Sequence, residues 1–336
     1  MEAQPKQTAA SEPSIDIVIV NWNAGGLLQT CLAALAASSI VEQLNVIVVD
    51  NASTDSSARD LAVSGLRLEV IYNASNRGFA AACNQGAEAG RARYLLFLNP
   101  DARVERETLA RALHYMNVPA QRRTGVLGVR LLDGSGCTAR SCVRRPTAAA
   151  LLQRTLFLDR IAPRLFPGHF LTEWDHLETR PVAQVMGAFL MIRRDLFVAA
   201  GGFDERFFVY YEDLDLCLRV ADRGHAVVHF AEATAVHDGG GTSSAVKDRR
   251  LCYETTSRVH FMHKWHGLMP ALLLIALITV IELPVRFIHA TLTRSPREGW
   301  LVLRGAYLFE CGLPRLLLSL NGKARAPIAA QPTSLG

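Results

Sequence analysis

The sequence predicts an α/β fold, a mostly parallel, doubly wound sheet followed by a C-terminal apolar helical extension. Three observations carry this. Short β-branched runs alternate with stretches of helical spacing through the N-terminal third. Two apolar strand runs close on acids, Val46-Ile47-Val48-Val49-Asp50 and Tyr94-Leu95-Leu96-Phe97-Leu98-Asn99-Pro100-Asp101. Polar residues at strand ends are where open α/β sheets place ligands. From Leu268 the composition turns almost continuously apolar.

Ile15 to Val20 is the first buried strand, with Asn21-Trp22-Asn23-Ala24-Gly25-Gly26 as its exit loop. Leu27 to Ala37 has helical spacing, and Val46 to Val49 is the second strand. Asn51 to Asp55 offers turn and cap chemistry, which predicts a helix over 56–63. Leu68 to Tyr72 is the third strand, Phe79 to Ala89 a helix and Tyr94 to Leu98 the fourth strand. A helix over 105–116 and a strand over 126–131 follow. Residues 133–182 are rich in Arg and Pro and show no period. Strands are expected over 185–192 and 226–230, with helices over 194–200 and 214–223. Residues 1–13 and 321–336 read as tails, 14–265 as one catalytic domain and 266–320 as a membrane-associated helical region.

With 336 residues, half of them hydrophobic and a net charge of +5, the chain can build a large core. Arg far outnumbers Lys, yet no basic stripe crosses the first half. This argues against nucleic acid and for anionic ligands or a lipid surface. The seven Cys form no CxxC pair and read as reduced thiols without zinc. The N-terminus has no apolar core of the kind a secretory signal needs.

The densest chemistry lies in Tyr210-Tyr211-Glu212-Asp213-Leu214-Asp215, at a helix start. The helix dipole stabilises carboxylates there as anions. An ionised carboxylate in a cleft can act as a general base. Asp213 is the first choice and Glu212 its rival. Asp215 and Arg219 are four apart and predict an ion pair. Gly187-Ala188, small residues ending the strand before Phe189, could line a pocket.

Seven motifs then coincide in order over residues 15–240: Val20-Asn21-Trp22-Asn23, Asp50-Asn51-Ala52-Ser53-Thr54-Asp55, Asn76-Arg77-Gly78-Phe79, Leu98-Asn99-Pro100-Asp101, Gly201-Gly202-Phe203-Asp204-Glu205, Tyr211-Glu212-Asp213 and His237. On these the chain resembles the inverting family-2 glycosyltransferases, which have the nucleotide-diphospho-sugar transferase (GT-A type) fold. It looks most like the bacterial rhamnosyltransferase branch. The resemblance implies that Asp50 hydrogen-bonds the donor's pyrimidine. It places Asn23 near the nucleoside and Arg77 near diphosphate or ribose. Asn99-Pro100-Asp101 corresponds to the family's DXD motif with Asn in first place. That leaves Asp101 as the carboxylate for a divalent cation, Mg2+ or Mn2+, and the Asn implies weaker metal binding or contact of Asn99 with the ribose of the donor nucleotide. His237 corresponds to a further metal ligand. The implied donor is a dTDP- or UDP-sugar, with dTDP-β-L-rhamnose the best match. The implied acceptor is a glycan or polyprenyl-linked sugar. The alternatives are a UDP-dependent hexosyl- or galactofuranosyltransferase and a non-catalytic scaffold. A nucleotidyltransferase would need a basic Gly-rich loop that Asn23-Ala24-Gly25-Gly26 lacks.

Leu268 to Ile281 is shorter than the ~20 apolar residues of a full span, and Glu282, Pro284 and Arg286 interrupt the apolar run beyond it. It reads as a tilted span, an interfacial helix or a buried amphipathic one. Arg residues come next, with Trp300 and Tyr307 as interface anchors. The expected place is the cytoplasmic face of the plasma membrane.

Overall fold

A computed structural model describes residues 13–239 and 246–321. The expected tails, and the glycine run beyond Gly239, fall outside those residues. Along the chain the elements are β1 (Ile15–Asn21), α1 (Gly26–Ala36), β2 (Leu44–Asp50), β3 (Arg67–Tyr72), α2 (Phe79–Ala89), β4 (Tyr94–Leu98), β5 (Ala102–Val104), α3 (Thr108–Asn117) and β6 (Thr124–Leu132). Then come α4 (Ala148–Thr155), α5 (Leu158–Ile161), β7 (Arg180–Pro181), β8 (Phe189–Arg193), α6 (Arg194–Ala199), α7 (Glu212–Ala221) and β9 (Ala226–His237). The last four helices among the described residues are α8 (Lys247–His266), α9 (Leu268–Leu277), α10 (Leu283–Thr293) and α11 (Pro296–Leu320).

The strands form one sheet in the order β3-β2-β1-β4-β8-β6-β9-β5, with β7 paired to β9. The β3-β2-β1-β4 half is wholly parallel, as expected. Every residue of β1 is buried, which suits a strand covered on both faces. Its period of two sends Ile17 and Ile19 into one core with α1 and α3, and Val18 and Val20 into the opposite core with α2, α6 and α7. β8 enters antiparallel between β4 and β6, so the second half is mixed. A third core joins Phe207, Tyr211 and Leu214 to Ala271, Leu274, Ile278 and Leu316 of the C-terminal helices.

Three expectations need correction. Residues 56–63 form turns, not a helix. The Asp55 carboxylate accepts from the Ser57 backbone and hydroxyl, and Asn21 donates to the same hydroxyl. Such side-chain bonds compete with helical ones. The strand expected from 185 begins at Phe189, so Gly187 and Ala188 form the turn that enters it rather than its end. β9 runs on to His237, because β5 pairs with its far end. The α8 helix has no counterpart in the sequence reading.

Candidate active site

Because β1, β2 and β4 are parallel, their C-terminal ends share one edge. β8 is antiparallel, so its beginning lies there too, with Leu98 opposite Phe189. β9 runs with β6 and also ends there. The sheet thus collects Asn21, Asp50, Asn99, Gly187, Ala188 and His237 along one rim.

At the β1–β2 end the polar groups bind one another. Asn21 Nδ2 donates to Asp50 Oδ1 (2.7 Å), and the Ser53 amide donates to Asp50 Oδ2 (3.2 Å). Asp50 therefore serves the local turn as well as facing the rim. A carboxylate has about four acceptor sites, so two bonds leave capacity for a base. Asn23 stands at φ +52, and its Oδ1 accepts from the amides of Thr54 (2.7 Å) and Asp55 (3.1 Å). Asn51 donates to Asn76 Oδ1 and Gly78 O, and accepts from Asn73 and the Arg77 amide. The amide supplies two donated and two accepted bonds at once, and this ties the Arg77 loop to β2. The Arg77 guanidinium itself bonds Gln85 (3.2 Å).

At the β4 exit the Asn99 amide donates to Ala188 O (3.2 Å), locking the Asn99 turn to the β8 entry. His237 Nε2 lies 3.3 Å from Asp101 Oδ1 and 3.4 Å from Asn99 Nδ2. Ligands at right angles around one Mg2+ would be about 3 Å apart. Asp101 Oδ1 and His237 Nε2 stand at a spacing two ligands of one cation could share, whereas the Asn99 atom nearest His237 is Nδ2, a hydrogen-bond donor and not a ligand. No group of three His, Cys, Asp or Glu among the described residues is arranged to hold a metal ion. Phosphate oxygens and water would complete the shell, as Mg2+ usually requires.

The carboxylates at the start of α7 are delivered by a strained turn. Tyr210 and Tyr211 have φ +70 and +71, a conformation costing about 1–3 kcal/mol for each bulky residue. Several long-range contacts hold it. Ser257 donates to Val209 O (2.8 Å), Arg154 to the Tyr211 hydroxyl (3.1 Å), and the Phe79 amide to Phe208 O (2.6 Å). That last approach requires glycine at 78, where φ is +86 and a Cβ would lie 2.6 Å from Phe208 O. Asp213 Oδ2 then accepts from the Gly187 amide (2.9 Å) and Oδ1 from the Leu214 amide (2.7 Å).

Burial raises the Asp213 pKa, while the Gly187 and Leu214 amides and Gln184 oppose the rise. Glu212 is buried more completely, at 5% exposure, and its Oε2 has no partner. Burial, and then the neighbouring Asp213 charge, push its pKa well above the carboxylate range. Asp213 is thus the more open and better-donated of the two carboxylates.

The contacts bring Asn99, Asp101, His237, Gly187, Ala188 and Asp213 into one chain of neighbours. Asp50, Asn23 and Arg77 form a second group, two strands along. The Asp215–Arg219 pair is present at 2.8 Å, and Asp215 also accepts from Lys264 and Trp265. A cavity of about 400 Å3, lined by Asn84, Asp204, Glu205 and Lys264, contains none of the candidate residues. Sequence reasoning missed Gln184, Arg154 and Ser257. No local pattern marks them, since each acts on residues far away in the chain.

The profile of Glycosyl transferase family 2 matches residues 16–197. The N-acetylglucosaminyl-diphospho-decaprenol L-rhamnosyltransferase of Mycobacterium tuberculosis (strain CDC 1551 / Oshkosh) is 28% identical over 238 residues, 66% of this chain and 75% of that protein. The O-antigen biosynthesis protein RfbC of Myxococcus xanthus is 29% identical over 229 residues, 67% of this chain and 17% of that one. Among solved structures, a mannosyltransferase from Pyrobaculum calidifontis in complex with GDP-Man and Mn2+ superposes with TM-score 0.52 at 18% identity, covering 95% of this chain and 88% of that one. GalNAc-T7 with UDP, GalNAc and Mn2+ gives TM-score 0.55 at 12% identity, covering 93% and 58%. These identities speak to the fold alone, which is of the GT-A type.

Proposed function

The chain belongs to glycosyl transferase family 2, and from that premise we propose that it is an inverting sugar transferase. Its best-supported reaction moves L-rhamnose from dTDP-β-L-rhamnose to a lipid-linked or polysaccharide acceptor in cell-envelope glycan synthesis. The observation that carries this is Asp213, held by two backbone amides beside the Asn99–Asp101–His237 group. Asp213 removes the proton from the acceptor hydroxyl as that oxygen attacks the anomeric carbon. The bond from that carbon to the β-phosphate oxygen breaks on the opposite face, and the nucleoside diphosphate leaves with the bonding electron pair. Asp50, with Asn23 and Arg77 on adjoining loops, binds the nucleoside diphosphate. Asp101 and His237 would hold Mg2+ or Mn2+, which neutralises charge on the leaving group. Gly187 and Ala188 leave room for the sugar beside Asp213. The choice of rhamnose is supported by the named activity of the mycobacterial relative.

We further propose attachment to the membrane surface on its cytoplasmic side. Leu268–Thr293 is the one helical stretch among the described residues long and apolar enough to cross a membrane. Its Ala271, Leu274, Ile278 and Glu282 are buried against the rest of the protein, whereas Met269, Leu273, Val280 and Leu292 are exposed. A helix with one face in the protein core and the other bare fits the interface better than a span. Trp300 and Tyr307 on α11 are exposed as well.

A donor panel tests the reaction: dTDP-rhamnose, UDP-glucose, UDP-galactose, UDP-N-acetylglucosamine and GDP-mannose, each with Mg2+ and nucleotide release measured. Fastest release from dTDP-rhamnose is expected. A faster UDP-sugar would overturn the rhamnose assignment, and no release from any donor would overturn the transfer reading. Flotation with vesicles of anionic and neutral lipid tests attachment. Salt should weaken but not abolish binding, since the apolar part is unscreened.

A further inference from the structure

A chain of charges, partly buried at its ends and fully buried at Arg258 and Glu282, joins the carboxylate turn to the apolar helix. Arg154, on α4, donates through Nη1 to the Tyr211 hydroxyl (3.1 Å) and through Nη2 to Glu254 on α8 (3.2 Å). Glu254 faces Arg258 one turn on, at 3.9 Å. Arg258 Nη2 donates to Glu282 Oε2 (2.6 Å), and Arg286 Nε donates to Glu282 Oε1 (2.9 Å). Arg258 and Glu282 are 0% and 1% exposed.

Glu282 reaches this place through a break in the helix. Between α9 and α10 the residues Ile278–Glu282 form a π turn. Pro284 comes two residues later, and having no N–H it cannot make the ordinary helical bond to the residue four before it. The wider turn lets two sequence neighbours, Glu282 and Leu283, both point inward, at 1% and 3% exposure. Such bulges often mark functional positions.

Packing alone does not explain these charges. Apolar residues of similar size often hold a core as well as a buried ion pair does, or better. What a directional charge chain adds is position. Here its end holds the phenol of Tyr211, the residue immediately before Glu212 and Asp213 and the second of two with positive φ.

We propose that Arg154 is a positioning residue for the transfer site, and that Glu254, Arg258 and Glu282 tie the carboxylate turn to the apolar helix. The effect on transfer rests on the glycosyltransferase reading above; the tie itself does not.

The test compares full-length wild type with Arg154→Met, Arg154→Lys, Tyr211→Phe and Glu282→Gln, in the presence of anionic vesicles. Hydrogen exchange is read peptide by peptide. In Arg154→Met, Tyr211→Phe and Glu282→Gln, the amides of residues 207–214 should exchange at least ~10-fold faster while the β1–β4 strands keep their protection. Arg154→Lys should restore part of it. Unchanged exchange at 207–214 in Glu282→Gln, or faster exchange spread evenly over the whole chain, would overturn the tie. Turnover of the best panel donor should fall up to ~100-fold in kcat for Arg154→Met and Tyr211→Phe, with donor KM nearly constant. A rise in KM with kcat intact would overturn the positioning role. Should wild type turn over no donor, the transfer reading fails while the exchange measurement still decides the tie.

Discussion

The two halves of the candidate site are held by different means. Asp50, Asn99 and Asp101 stand at the exits of buried parallel strands, where the sheet register fixes them and neighbouring loops supply the bonds. Asp213 stands after two residues of positive φ, fixed by Gly187, Phe79, Ser257 and Arg154 from distant parts of the chain. The strand-end half is therefore a product of the sheet. The carboxylate half is a product of tertiary assembly, and depends on helices outside the sheet.

Substitutions can break or sharpen that contrast. The largest effect is expected at Asp213→Asn, with kcat lower by ~10²–10⁴ and donor affinity nearly kept. Because burial raises the Asp213 pKa and the base must be ionised, kcat in wild type should rise with pH through a value above that of an ordinary aspartate. A larger loss in Glu212→Gln than in Asp213→Asn would reverse the assignment of the two acids. Next is Asp101→Ala, expected to lower kcat/KM by ~10²–10³ and to weaken donor binding together with Mg2+ dependence. Full activity of wild type in excess EDTA would remove the cation.

Smaller still is Asn51→Asp, which points an acceptor at Asn76 Oδ1 and Gly78 O, where the amide now donates. A destabilisation of about 1–3 kcal/mol is expected in denaturant melts. Exchange should rise in the 73–78 loop and not at 207–214; the reverse pattern would erase the distinction between the halves. Gly187→Ala is the mildest for the fold. An added Cβ would lie 3.6 Å from Asp213 Oδ2, an ordinary contact. Stability should change by less than about 0.5 kcal/mol. If the space belongs to the sugar, KM rises; an unchanged KM would place the substrate elsewhere.

The same contrast decides what the sequence makes legible. β1, β2 and β4 are readable because apolar runs buried throughout, β-branched in the first two and rich in Leu and aromatics in the third, have few other uses. Asp50 and Asp101 come with them as end residues. The turn at 56–63 passes for a helix because Asp55 and Ser57 serve equally as a cap and as rivals of the helical bonds. Gly187 reads as the end of its strand, since Val185 and Met186 extend the apolar pattern without pairing. α8 hides because it buries Arg258, His260 and Asp248 beside Phe261 and Met262, which blurs any apolar stripe. The Arg154–Glu254 contact joins residues 100 positions apart, beyond any local signal.

The third core has a consequence for how the protein can be cut or recombined. Ala271, Leu274 and Ile278 pack with Phe207, Tyr211 and Leu214, and Arg258 is matched by Glu282. A cut near residue 266 would bare that apolar surface and leave the Arg258 guanidinium without its closest carboxylate. The C-terminal helices are therefore not an interchangeable module. A chimera that exchanges them with those of a relative must carry over the inward face of α8, and with it the groove that seats Tyr211. Recombination along the chain should succeed on the far side of the sheet sooner than at this junction.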